Sequence, residues 1–174
     1  LGGHCIPIDP FYLTWKAREF EVPVRFIELA GEINTAMPGI IVDRIAAALD
    51  ARLGKGLNGS RLLIVGLAYK KNVDDMRESP ALRIIELLER RGAKTSYHDP
   101  FIAAIKGSRK HDALAGRRSV PLDAATIAGF DAVVIVTDHD GIDWNGVVDA
   151  ARIVIDTRNA TRNVERHRDR IVKA

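Results

Sequence analysis

Two hydrophobic patterns divide the chain. Over the first 53 residues apolar side chains recur three and four apart, as in Phe26, Ile27, Ala30 and Ile33, then Ile41, Ile45, Ala48 and Leu49. That spacing puts a stripe on one face of a helix. Pro38 separates the two runs, and either opens a second helix or kinks one long one. No strand pattern accompanies these helices, so their stripes need another surface, either an upstream domain or a second subunit. Residues 54–60 (Gly-Lys-Gly-Leu-Asn-Gly-Ser) are rich in breakers and read as a linker. From residue 61 short apolar runs alternate with helical segments. Leu62-Leu63-Ile64-Val65 ends in Gly66, residues 94–98 form a second run, 132–136 a third and clearest, and 152–156 a fourth. Ser79 is a good N-cap with Pro80 at the first helical position, Leu82, Ile85 and Leu88 line one helix face, and Gly92 ends it. Shorter helices fall near 122–128 and 144–150. Strands alternating with helices predict an open parallel α/β sheet over 61–174.

Composition narrows this picture. A chain of 174 residues makes one large domain, or one domain with an appendage. No apolar run approaches 18 residues, so nothing in the sequence reads as a membrane span. The first residues lack the basic-then-apolar pattern of a secretory signal. The single cysteine excludes an intramolecular disulfide and suits a reducing, cytoplasmic location. The net charge of +3 favours anionic partners only weakly. The densest basic stretch, 106–118 with Arg109, Lys110, Arg117 and Arg118, has no interleaved aromatics. It reads as a solvated connection, not a nucleic-acid surface. The chain opens at Leu1, without methionine and inside a motif, and reads as a piece of a longer protein.

The motif is Gly2-Gly3-His4-Cys5-Ile6-Pro7-Ile8-Asp9-Pro10, which holds the only cysteine. Paired glycines allow close backbone approach or a positive φ. Pro7 pushes Ile6 toward extended backbone, which places Cys5 on a rigid loop. Asp9 and Pro10 read as an N-cap and first helical residue of a helix over 11–18. Cys5 then lies just ahead of a helix N-terminus, whose partial positive charge favours the thiolate. A lone cysteine is more often a buried, inert hydrophobe, and Asp9 alone reads as a cap. The combination of glycine pair, rigid Ile-Pro step, thiol and carboxylate favours chemistry.

Open α/β sheets bind ligands beyond the carboxyl ends of their strands. Three segments fall there: 66–79, 137–140 and 157–159. The first is long for a strand-to-helix connection, as functional loops are, but lacks Gly-x-Gly-x-x-Gly. It offers Tyr69 for stacking and Lys70 for a diphosphate. Against this, Lys70 and Lys71 also read as an exposed pair, Tyr69 as core, and Arg77 with Glu78 as a local ion pair. His4, His98 and His139 have no partners at metal-ligand spacing, so no metal is expected. Asp138, Asp140 and Asp143 read as turn and capping residues.

The Cys5 segment resembles the catalytic loop of the UDP-glucose/UDP-mannuronate dehydrogenase family, in the form carried by enzymes that oxidise UDP-N-acetylhexosamines. The resemblance continues through Gly66-Leu67-Ala68-Tyr69-Lys70-Lys71 and Asp75-Met76-Arg77-Glu78-Ser79-Pro80 to Asp156-Thr157-Arg158. It implies a helical dimerisation segment (1–53) with the cysteine loop, followed by a Rossmann-like UDP-sugar-binding domain (61–174). It implies oxidation of a C6 alcohol to a carboxylate by two NAD⁺, in the cytoplasm, for surface polysaccharide precursors. Cys5 would carry a thiohemiacetal and then a thioester, and Asp9 would manage water or protons. Leu1, Gly2, Gly3, Tyr69, Lys70 and Arg158 fall to the UDP-sugar and Arg77 to NAD; the partner is a second copy in a homodimer. The family's upstream glycine fingerprint, catalytic lysine and asparagine are not in this sequence, so the chain alone is expected to be inactive. Ile8 and His4 stand where the UDP-glucose branch usually carries lysine and serine. UDP-N-acetylglucosamine is therefore the first expectation and UDP-N-acetylmannosamine the second, with UDP-glucose as a further alternative. Two readings of other classes compete: a non-catalytic nucleotide-binding and dimerisation module, with an inert Cys5, and a peroxide-sensitive thiol sensor.

Overall fold

The computed structural model describes residues 1–3, 5–107 and 110–174. Two helices come first, α1 (Cys5–Glu19) and α2 (Arg25–Leu53). Helix α1 starts five residues before Pro10, the expected first helical residue, and Cys5 is its first residue, not part of a loop. The reason is positional. The first N–H groups of a helix have no partner within it, so Pro7 sits in the first turn without losing a hydrogen bond. Pro10 lies inside the helix and forfeits only one. Asp9 is accordingly a residue of the second turn, not a cap.

Helix α2 is continuous through Pro38, which is buried. Its two halves differ in surroundings. Ile41, Val42, Ile45, Ala48 and Leu49 share one core with Leu82, Ile85 and Leu88 and with Leu62 and Ile64 of the first strand. The sheet domain thus covers the second stripe, contrary to the expectation that both need outside cover. The first stripe stays open: Phe26 is 89% exposed and Ile33 53%. Gly54, in the left-handed region, ends α2 with its N–H on the Asp50 carbonyl. The 54–60 connection is packed, with Leu57 and Ser60 buried.

Five strands follow: β1 (Arg61–Val65), β2 (Lys94–His98), β3 (Ala132–Ile135), β4 (Val154–Asp156) and β5 (Ile171–Lys173). All pair in parallel in the order β2-β1-β3-β4-β5. Helices α3 (Pro80–Arg90), α4 (Ala124–Ala128) and α5 (Trp144–Ala150) complete the fold. β1, β3 and β4 are buried along almost their whole length, as expected of parallel strands covered on both faces. On one face lie α2 and α3; on the other Leu63, Val65, Val133, Ile135 and Val154 pack with Ile127, Val147 and Val148. Each fully buried aliphatic side chain contributes about 1.5–3 kcal/mol. Ser79 caps α3 by accepting from the Ala81 N–H at 3.2 Å, with Pro80 at the first position. The β5 strand escapes the sequence reading because it is three residues, two half-buried and one exposed, at the end of a charged run.

Candidate active site at the carboxyl ends of the strands

The strand order reverses between β1 and β3, which makes their carboxyl ends the expected ligand crevice. Two buried carboxylates organise the loops there. Asp99, just beyond β2, accepts from the Leu67 and Ala68 N–H groups at 2.7 and 3.0 Å with one oxygen, and from Phe101 and Ile102 with the other. The first oxygen also meets His139 Nε2 at 3.1 Å, both side chains being fully buried. Burial raises the Asp99 pKa, but the hydrogen bonds from His139, Ala68, Leu67 and Phe101 outweigh it and bring it down to about 2. At the end of β4, Asp156 accepts from the N–H groups of Arg158, Ala160 and Thr161, from the Thr161 hydroxyl and from Lys173 at 2.6 Å. Burial again opposes, and the bonds led by Lys173 and Thr161 hold it at about 2. Asp156 thus shapes the turn that presents Arg158.

Gly66 follows β1 with φ +88°, and a β-carbon there would stand 2.5 Å from Thr137. Thr137 fills the space over this turn and donates to the Ala68 carbonyl at 2.6 Å. Thr137 therefore packs directly on the glycine turn after β1.

The glycine pair packs closely on the loop after β1. A β-carbon on Gly2 would fall 2.4 Å from the Glu78 carbonyl and one on Gly3 2.7 Å from the Tyr69 ring, with Gly3 at φ +88°. These glycines let residues 1–3 lie directly on the 66–79 loop. Tyr69 is half-buried beneath them, between the stacking and core readings. The Leu1 carbonyl accepts from Asn34 of α2 at 2.9 Å. Burial, then the nearby Arg158 charge, lowers the pKa of the Leu1 amino group. The structure therefore gathers Leu1, Gly2, Gly3, Tyr69 and Arg158 at one end of the sheet.

Cys5 and Asp9, one turn apart on α1, line an apolar trough of about 1000 Å³ between α1 and α2, with Leu1 at its edge. Cys5 is exposed. Neither residue is hydrogen-bonded to Lys70, Arg77 or Arg158 among the described residues. Lys70 is exposed and has no charge partner among the described residues, whereas Lys71 is paired to Asp140 at 2.8 Å. Arg158 Nε donates to Asp138 at 3.2 Å. Arg77 forms a two-pronged pair with Asp75, not with Glu78, and that pair raises the Arg77 pKa. Glu78 instead holds Lys110 at 2.6 Å. Asp143 caps α5, as its turn position predicts, and Arg117 of the basic stretch is bound to Glu89. His4 and Arg109 lie outside the described residues. Among the described residues no three His, Cys, Asp or Glu side chains gather to hold a metal ion. Asp99 and Asn72 were not singled out by sequence reasoning; the available signal was an Asp-Pro step at the end of a strand.

The model of the UDP-glucose/GDP-mannose dehydrogenase family UDP binding domain matches residues 63–163. The chain belongs to this family. Its central-domain model matches residues 1–36, so the family's division places α1 and the start of α2 apart from the sheet. A UDP-N-acetyl-D-mannosamine dehydrogenase of Pyrococcus horikoshii is 32% identical over 164 residues, 91% of this chain and 35% of that protein. A UDP-glucose 6-dehydrogenase of Rhizobium meliloti is 30% identical over 94% of this chain and 37% of its own length. A solved UDP-D-ManNAc dehydrogenase structure from Pyrococcus horikoshii superposes with TM-score 0.74 at 28% identity, covering 92% of this chain and 35% of the other. The chain spans about a third of the length of these family members.

Proposed function

We propose that the chain is the C-terminal part of an NAD-dependent nucleotide-sugar 6-dehydrogenase, supplying its nucleotide-binding sheet and its covalent cysteine. The observation that carries this reading is the seating of Gly2 and Gly3 on the Tyr69 loop. It ties the start of α1, where Cys5 stands, to the strand ends where Lys70 and Arg158 present positive charge. Lys70 and Arg158 contact the diphosphate, Tyr69 and the Leu1–Gly3 backbone the remainder of the UDP-sugar. NAD⁺ supplies the oxidising equivalents. Arg77 is the proposed contact from this chain, an exposed guanidinium able to leave Asp75 for a phosphate. Cys5 Sγ adds to the C6 aldehyde, and the later thioester is hydrolysed with Asp9 orienting water or moving a proton.

For the sugar, Ile8 and the histidine preceding Cys5 support an N-acetylated hexose. Identities of 32% and 30% do not separate mannosamine from glucose. The Pyrococcus likeness in both sequence and structure moves N-acetylmannosamine ahead of the N-acetylglucosamine that the motif alone put first.

Calorimetry on the chain tests the binding half. Each charge-assisted hydrogen bond contributes roughly 1.5–3 kcal/mol, so Lys70→Ala and Arg158→Ala are each expected to weaken UDP binding by about tenfold to a hundredfold, more at low salt. Lys71→Ala, whose charge is already spent on Asp140, and Arg77→Ala are expected to leave it nearly unchanged. Tight NAD⁺ binding without UDP binding would reverse the assignment of the sheet. The exposed α1–α2 stripe supports a homodimer as the assembled form. Sedimentation of the full-length polypeptide at micromolar concentration should show a dimer; a monomer would refute it.

A further inference from the structure

We propose that Asn72 and His139 form a clasp that positions the loop carrying Tyr69 and Lys70 for a nucleoside diphosphate. This rests on the UDP-binding reading above. Asn72 has φ +61°, a left-handed conformation that asparagine tolerates better than most residues. Its N–H donates to His139 Nδ1 at 3.0 Å. Its carboxamide donates to Asp140 Oδ2 at 2.6 Å and accepts from the Asp140 N–H at 3.1 Å. One residue thus fastens the outer end of the loop to the segment after β3 by three bonds.

The inner end is fastened by Asp99, which the same histidine meets. With Nδ1 accepting from Asn72, the His139 proton resides on Nε2 and is donated to Asp99 Oδ2. That oxygen also takes the N–H groups of Leu67 and Ala68, the two residues before Tyr69. The Tyr69 N–H closes the loop on the Asp75 carbonyl at 3.0 Å. Lys71 is consumed by Asp140, which leaves Lys70 as the loop's uncommitted cation. A backbone already held in this way does not lose its ordering entropy when the ligand arrives. His139 and Asn72 are positioning residues in this scheme, acting through the Lys70 loop and not by touching the nucleotide.

Two substitutions divide the histidine's roles. His139→Gln places an amide nitrogen near the Nε2 position, retaining the Asp99 donor and removing the Asn72 acceptor. His139→Asn places an amide oxygen near Nδ1, retaining the Asn72 acceptor and leaving Asp99 short of a donor. By calorimetry the Gln variant is expected to raise the Kd for UDP about five- to tenfold while the Asn variant stays within about twofold. By urea unfolding the order reverses, with Asn the less stable. Faster hydrogen exchange of the Asn72 amide is expected in the Gln variant alone. Should the His139 variants fail to fold, Asn72→Gly keeps the positive φ, deletes both Asp140 bonds and is expected to weaken UDP about three- to tenfold. UDP affinity that follows stability across the variants, or is unchanged in His139→Gln and Asn72→Gly, overturns the clasp and leaves the binding site standing. An unaltered chain that fails to bind UDP removes the nucleotide reading and the clasp's role with it.

Discussion

Cys5→Ala in the full-length polypeptide is expected to lower uronate formation by at least about a thousandfold, because the substitution removes the thiol on which the covalent intermediate forms. UDP-sugar affinity should stay within a few-fold. Lys70 and Arg158, assigned to the diphosphate, lie on the 66–79 and 157–161 loops, which Asp99 and Asp156 hold by their own hydrogen bonds. Calorimetry and a product assay on the same preparation check both halves. Turnover at the unaltered rate would remove covalent catalysis and leave the non-catalytic binding module as the better description. Loss of binding together with turnover would mean that the cysteine supports the fold. A peroxide-dependent change in activity without any UDP-sugar requirement would favour the thiol sensor.

The second large effect is on acid stability. Asp99 and Asp156 have folded-state pKa values of about 2, below the ordinary 3.8. A depressed carboxylate pKa stabilises the fold fully above the unfolded value. As pH drops below about 4 the unfolded chain takes up protons first, and the contribution is gone once pH passes through about 2. Each fully buried carboxylate is expected to contribute on the order of 2 kcal/mol at neutral pH. Urea unfolding should therefore show nearly constant stability from pH 7 to about pH 5 and a steep loss between about pH 4 and 2. Asp156→Asn should be less stable at pH 7, since Lys173 loses its counter-charge, and should lose less on acidification. Equal acid slopes in the two proteins would show that Asp156 is not a source of the pH dependence.

What the sequence made legible follows from the range of the forces involved. Strands β1 and β3 and helix α3 are written in local terms, as apolar runs, a Ser-Pro start and a closing glycine, and the sheet follows from their alternation. The start of α1 was misjudged because Pro7 and Pro10 look like boundaries in sequence, whereas a proline in the first turn loses no hydrogen bond and a second costs only one. Coverage of the second α2 stripe depends on how the helix folds back on α3, which no local pattern records. The site shows the same division. Lys70 and Arg158 are legible as cations after strands, and in the fold they follow β1 and β4. The carboxylates that shape their loops were not legible as such: Asp99 and His139 are 40 residues apart, and their meeting is a property of the sheet. The seating of the glycine pair on Tyr69 is likewise a product of the fold, since the two segments lie more than 60 residues apart in sequence.

The central claim is that this chain carries the nucleotide site and the nucleophile of one oxidation, and the most direct measurement is NADH formation by the full-length polypeptide across a panel of UDP-sugars. The account predicts two NADH per UDP-N-acetylhexosamine consumed, with the mannosamine epimer fastest and UDP-glucose slower. The absence of NADH with every UDP-sugar in the panel, from a polypeptide that binds UDP, would contradict it.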